Sequence, residues 1–265
     1  MAMLVVGMAS VGTSVSCGEV IVAFGDSTTA IRSTVPDVYA QILQDELPGL
    51  LGESVTVYNA GVGGNNTYDA RGRLNTDVRS RHPSTVIVQF GINDCYVDSY
   101  VQGDPSRVAI DAATQVGSPY THRGNYTANL NSIVNTLRND GARVILMTPN
   151  QLRTTGPGAE SVWQNDLLGS YAQVVRDVAA DQGVELLDVW KMYANYTAIP
   201  GHSINDLLVD SQHPGALGHR MVADRLEGIF APEPGTISLL GIGCLGVAGW
   251  RLLQRTTYRK FRCDE

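Results

Sequence analysis

Apolar positions along this chain fall into two alternating patterns. Five short runs, at residues 20–24, 55–58, 85–90, 144–147 and 184–187, are apolar almost without interruption. They are rich in β-branched residues and flanked by Gly or Pro, which favours buried strands over fragments of helix. Between them lie longer segments of helical period. Residues 38–47 follow Pro36, a good first-turn residue, and residues 126–137 place Leu130, Ile133, Val134 and Leu137 on one face. Residues 161–180 and 218–230 read the same way. Strand and helix in repeated alternation predict an α/β domain, a parallel sheet covered on both faces by helices.

Composition agrees with one such domain. The chain has 265 residues, 43% of them hydrophobic and 17% charged, enough to bury a single good core. No internal repeat or linker interrupts residues 18–230. The longest stretch without periodicity is 97–123, and a loop of that length is usually functional or disordered. A formal charge of -7 argues against a nucleic-acid surface. The four cysteines (Cys17, Cys95, Cys244 and Cys263) form no CxxC pair and no cluster with His, so neither a structural metal nor a disulfide framework is expected.

The two ends differ from the middle. Residues 1–17 are small and apolar and end in Ser14-Val15-Ser16-Cys17, as a secretory leader does, although the first basic residue is Arg32. An N-terminal strand extension or a different start is the alternative. At the other end, Pro232-Glu233-Pro234 precedes an uncharged stretch at 236–250 and then Arg251, Arg255, Arg259, Lys260 and Arg262. A short membrane span held by a basic cluster fits this order, and glycine is common in such spans. A buried final helix with a solvated basic end is the bland reading. The layout over 231–265 resembles the PEP-CTERM sorting tail of bacteria. That resemblance implies export to the cell surface, transient membrane insertion, and a membrane protease that removes the tail.

Chemistry-bearing residues collect where the predicted strands end. The first run leads into Gly25-Asp26-Ser27-Thr28-Thr29, the second into Asn59-Ala60-Gly61-Val62-Gly63-Gly64-Asn65, and the third into Gly91-Ile92-Asn93-Asp94. Near the end of the domain stands Asp210-Ser211-Gln212-His213-Pro214. Each block alone has a bland reading: a helix cap, a tight turn, a helix start, a surface Asp–His pair. Open parallel sheets bind ligands beyond the carboxyl ends of their strands, so the fold would bring these blocks together. Together they supply an alcohol, a base, an orienter for the base, and donors for an oxyanion.

The four blocks, in this order, resemble the SGNH family of GDSL-type esterases and acylhydrolases across essentially all of residues 20–229. The resemblance implies a three-layer α/β/α, flavodoxin-like fold with a five-stranded parallel sheet in the order 2-1-3-4-5. It makes Ser27 the nucleophile, His213 the general base and Asp210 its orienter. It also makes the Asn93 side chain and the N–H groups of Ser27 and Gly64 the oxyanion hole, with Gly61 and Gly63 as alternatives to Gly64. Asp26 and Asp94 are expected to brace their loops, and His219 to begin the last helix. No cofactor or metal is implied. One departure is Thr28, where many members of the family carry leucine.

The expected activity is hydrolysis of short acyl esters, acetyl above all, on extracellular carbohydrate. Tyr100, Asp104, Arg107, Tyr120 and His122 in the long loop would suit a sugar. A lysophospholipase or thioesterase with the same triad, and a non-catalytic binding module, are the competing readings.

Overall fold

The apolar runs become the strands of one five-stranded sheet, β1 (Glu19–Gly25), β2 (Val55–Gly61), β3 (Thr85–Gln89), β4 (Arg143–Met147) and β5 (Glu185–Leu187). All pairings are parallel and the order is β2-β1-β3-β4-β5, as expected. The computed structural model describes residues 18–35, 37–96 and 123–231. The expected leader, all but the last residue of the long loop, and the sorting tail from Pro232 onward lie outside the described residues. Among the described residues no helix is long and apolar enough to cross a membrane.

Alternation of period two divides the core between the sheet faces. Val22 and Phe24 of β1, Val86 and Val88 of β3, and Val144 and Leu146 of β4 pack on one side. There they meet α2 (Thr67–Asp77), α3 (Arg123–Asn139) and α4 (Val162–Gln182). Ile21, Ala23, Ile87, Ile145 and Met147 point to the other face. They are covered by α1 (Tyr39–Leu51), α5 (Val189–Thr197), the short α6 (Ile204–Leu207) and α7 (Ala216–Phe230). Burial on both faces explains why these strands read as continuous apolar runs.

Four differences from the sequence reading have physical causes. Helix α1 runs on past Leu47 through Pro48 to Leu51, then closes on Gly52 at φ 69, whose N–H donates to the Pro48 carbonyl. Helix α2 has no apolar stripe, burying only Thr67, Ala70 and Leu74, and it starts instead from a capping box. In that box the Asn66 side chain accepts from the N–H groups of Tyr68 and Asp69, and Asp69 accepts from Asn66 N–H. Helices α5 and α6, nine and four residues long, were not read from the sequence. His219 lies one turn inside α7 and is buried, accepting from Tyr39 N–H at 3.3 Å, with burial pulling its pKa down to about 4.

Two features shape the carboxyl ends of β1 and β2. Asp26 is buried and accepts from the N–H and the hydroxyl of Thr28, both at 2.8 Å, which closes the loop after β1. Burial pushes its carboxyl up to about 6, against the pull of those two bonds. Gly61, at the end of β2, packs directly on this loop. A Cβ there would stand 2.3 Å from Ala30 N and 2.7 Å from the Thr29 carbonyl carbon, both backbone atoms that have little room to give.

Two outcomes are expected. Gly61→Ala should lose about 1–3 kcal/mol of stability in urea unfolding, the usual cost of overpacking; a loss under about 0.5 kcal/mol would mean the Ala30 backbone moves freely. Because the Asp26 pKa is raised on folding, the unfolded chain gives up that proton first, and stability through this group falls as pH rises from about 4 to 6. Asp26→Asn keeps the acceptor and cannot ionise. Its stability relative to the unsubstituted chain should therefore gain between pH 4 and 7, by up to about 3 kcal/mol; a constant difference across that range would contradict the raised pKa.

Candidate active site

In the sheet order, the chain leaves β1 for β2 on one side and returns for β3 on the other, so a crevice opens beyond the end of β1. Ser27 sits there, half-buried, on the loop that Asp26 closes. Thr29 and Ala30 N–H groups donate to the Asp26 carbonyl at 3.2 and 3.1 Å, turning the chain sharply around the serine. His213, 186 residues later, places Nε2 at 2.9 Å from Ser27 Oγ. Its Nδ1 lies 2.7 Å from Asp210 Oδ2. The carboxylate is an acceptor only, so Nδ1–H donates to Asp210 and Nε2 is left to accept from the serine hydroxyl.

The Asp210–His213 geometry comes from a turn rather than a helix. Asp210 Oδ1 accepts from the N–H groups of Gln212 and His213 at 2.9 and 2.8 Å, and Val209 N–H donates to the His213 carbonyl at 3.0 Å. Those bonds outweigh burial, which acts the other way, and hold the Asp210 carboxyl below the usual range. His213 is 9% exposed. Burial lowers its pKa from 6.5 against the attraction of Asp210, and the charge of Arg32 adds to the lowering. The imidazole is therefore kept neutral, the state in which it can take a proton.

The donors expected for an oxyanion come from the next two strand ends. Residues 92–96 are helical, so the block after β3 is also a helix start, and Asn93 stands in its first turn. Asn93 Nδ2 donates to the Asn65 carbonyl at 2.9 Å, which ties the third loop to the second and leaves the amide one further hydrogen. Asp94 is buried and accepts from Thr67 N–H and hydroxyl, the latter at 2.6 Å, so it braces the start of α2. In the second loop Asn65 N–H donates to the Val62 carbonyl, and Gly64 holds φ 79, the value a type II turn needs at its third residue. Gly61 drops out as a donor because its N–H already meets Asn59 Oδ1 at 2.9 Å. Gly63 lies against the serine: a Cβ on it would be 3.9 Å from Ser27 Cβ. Among the described residues, the N–H groups of Ser27, Gly63 and Gly64 meet no acceptor.

Three supporting residues were not legible in the sequence. Arg73, on the unanticipated α2, donates to the carbonyls of Gly25 and Ala60 at 2.7 and 2.8 Å and to Asn65 Oδ1 at 2.6 Å. Its guanidinium lies 4.5 Å from the centre of the Phe24 ring. Asn150, just after β4, is fully buried and donates to the Gln212 carbonyl at 2.9 Å, beside His213. Arg32 stands 3.5 Å from Asp210 Oδ2. The Asp spacing around Arg73, Asp69 and Asp77 at i−4 and i+4, was the available hint of a helix there. Cavities of about 310 and 370 Å³ lie away from this site, one lined by Arg79, His82 and Asp140, the other between α5 and α7. Among the described residues no three His, Cys, Asp or Glu side chains are grouped as metal ligands.

Comparison with known proteins identifies the family and the fold. The model of the GDSL-like lipase/acylhydrolase family matches residues 23–221. A relative described as uncharacterized lipoprotein YqeF, from Bacillus subtilis, is 28% identical over 213 residues, covering 73% of this chain and 79% of its own. The human isoamyl acetate-hydrolyzing esterase 1 homolog is 26% identical over 236 residues, covering 83% and 84%. Among solved structures, the acetylxylan esterase Axe2 of Geobacillus stearothermophilus superposes with a TM-score of 0.64 at 22% identity, over 82% of this chain and 95% of that one. The lipase/acylhydrolase of Enterococcus faecalis gives 0.62 at 24%, over 80% and 95%; both likenesses speak to the fold. With the family model spanning most of the domain, the chain belongs to the GDSL-like lipase/acylhydrolase family and is a hydrolase acting on ester bonds.

Proposed function

We propose that the protein is an exported serine esterase that removes short acyl groups, chiefly acetyl, from carbohydrate, with Ser27, His213 and Asp210 as its triad. The observation that carries this reading is the unbroken hydrogen-bond chain from Ser27 Oγ through the His213 ring to Asp210. In the proposed reaction His213 Nε2 takes the serine proton as Oγ attacks the ester carbonyl. Asp210 holds the ring in the right tautomer and offsets the imidazolium charge. The developing oxyanion takes hydrogen bonds from Asn93 Nδ2 and the N–H groups of Ser27 and Gly64. His213 then protonates the leaving alcohol, and a water, deprotonated by the same nitrogen, releases the acid from Ser27.

Support for acetyl comes from the names of two similar proteins, one an acetylxylan esterase and one a homolog of an isoamyl acetate-hydrolyzing esterase. Support for carbohydrate comes from the first of these and from the polar and aromatic residues that the sequence carries between positions 97 and 123. Export rests on the ends of the sequence, with a leader over 1–17, the hydrolase domain over 18–230 and a sorting tail over 231–265. A lipoprotein among the relatives fits that placement.

Ser27→Ala should lower kcat on p-nitrophenyl acetate by about 10⁴-fold or more, and Asn93→Ala by about 10²–10³-fold with KM little changed. Acetylated xylan should release acetate, and rates on p-nitrophenyl esters should fall as the acyl chain lengthens. Turnover that survives Ser27→Ala, or that favours long acyl chains over acetyl, would overturn the triad or the substrate reading respectively. Since His213 must be neutral to act and its pKa is lowered, kcat/KM should reach half its plateau below pH 6.5; a half-point above 6.5 would argue against His213 as the base.

A further inference from the structure

The carboxylate that orients His213 has a second charged partner. Arg32 belongs to a tight turn after the serine loop, in which Val35 N–H donates to the Arg32 carbonyl at 3.0 Å. Its Nη2 stands 3.5 Å from Asp210 Oδ2, the same oxygen that receives His213 Nδ1–H at 2.7 Å. The Arg32 side chain is 27% exposed and that of Asp210 41%, so the pair is partly screened by water. Among the described residues the Arg32 guanidinium makes no hydrogen bond, so its position serves no other acceptor there. One carboxylate oxygen is thus shared between a fixed cation and a ring that becomes a cation during proton transfer.

From this arrangement we infer that Arg32 is a positioning residue that sets the acid limit of the enzyme, by drawing on the Asp210 carboxylate that would otherwise stabilise the protonated His213 ring. The inference rests on His213 being the base of the proposed reaction. Other charged or titratable groups around His213 are few among the described residues. Asp210 lies on its own loop, and Asp26 is buried beneath Ser27. Glu160 accepts from Ser211 at 2.7 Å, from the loop before α4. Buried His219 follows on α7, and its pKa is lowered by burial and by Arg32. Tyr96 contributes a phenol whose pKa burial raises, far from any proton change in the working range. Arg32 is the cation in ion-pair contact with Asp210. The same direction is seen at His213, where the charge of Arg32 acts with burial to favour the neutral ring.

The test is a titration of the His213 ring by NMR in Ser27→Ala protein at low ionic strength, with Arg32 intact, Arg32→Gln or Arg32→Lys. Alongside it runs the pH profile of kcat/KM for the same Arg32 variants with Ser27 present. The turn holding Arg32 is closed by backbone atoms, so neither substitution removes a bond that the turn needs. Removing the cation should raise the His213 midpoint by about half a pH unit, the size expected of one nearby charge in a water-like medium. The acid limb of kcat/KM should move up equally, while the alkaline plateau stays within about threefold. Arg32→Lys should restore most of both shifts. An unchanged midpoint in Arg32→Gln, or a lysine that restores nothing, would overturn the inference. Absence of Ser27-dependent turnover with a normal midpoint shift would overturn the esterase reading and leave the Arg32–Asp210–His213 coupling standing.

Discussion

A half-buried guanidinium holds the active end of this sheet together. Arg73 reaches under the last residues of β1 and β2, with two of its nitrogens on the carbonyls of Gly25 and Ala60 and a third on Asn65. The Gly25 carbonyl also accepts from Val62 N–H at 3.0 Å, so the guanidinium adds to a contact that already joins the two strand ends. Burial lowers the Arg73 pKa, yet Asp77, Asp26 and Asp69 all act to keep the charge. The ring of Phe24 below provides an aromatic face for the cation. Serine loop and glycine loop are thus fixed to each other from beneath. Asn93 and Asp94 then fasten the third loop to the second through Asn65 and Thr67. The three strand ends behave as one braced platform, with the histidine arriving from above it.

Much of this architecture was legible because the sheet is buried on both faces. Parallel strands between two helical layers leave apolar runs that stand out without any alignment, and all five were found; their order came from the family resemblance, not from the runs. Elements that do not bury a stripe were invisible to that signal. Helix α2 is held by Asn66 and Asp69 at its start and by Arg73 and Asp77 at its end, so its information is in polar contacts. The extension of α1 through Pro48 escaped for a related reason. A proline near the end of a helix loses a hydrogen bond but does not end the helix when Gly52 can close the last turn.

The site shows the same division. Ser27, Asn93, Asp210 and His213 were legible as blocks because each stands at a strand end or a turn whose composition is unusual. The features that distinguish Gly61, Gly63 and Gly64 from one another were invisible in sequence. Gly61 is needed where β2 touches the Ala30 backbone and has its N–H already taken, whereas Gly63 lies against Ser27 and Gly64 turns the chain with a positive φ. Arg32 and Asn150 escaped because their partners, Asp210 and the Gln212 carbonyl, are far away along the chain. No local pattern announces a contact of that kind.

The distance between Ser27 and His213 along the chain also has a consequence for synthesis. Ser27 is among the first described residues, and His213, proposed as its base, is 186 positions later, just before α7. Closing so long a loop costs less entropy once the intervening sheet has formed. A nascent chain with β1 to β4 already paired would hold a serine hydroxyl with no base beside it, and would be inert toward esters. On the proposed triad, reactivity would switch on only when the segment carrying His213 docks, so that a finished fold and a competent nucleophile would arrive together.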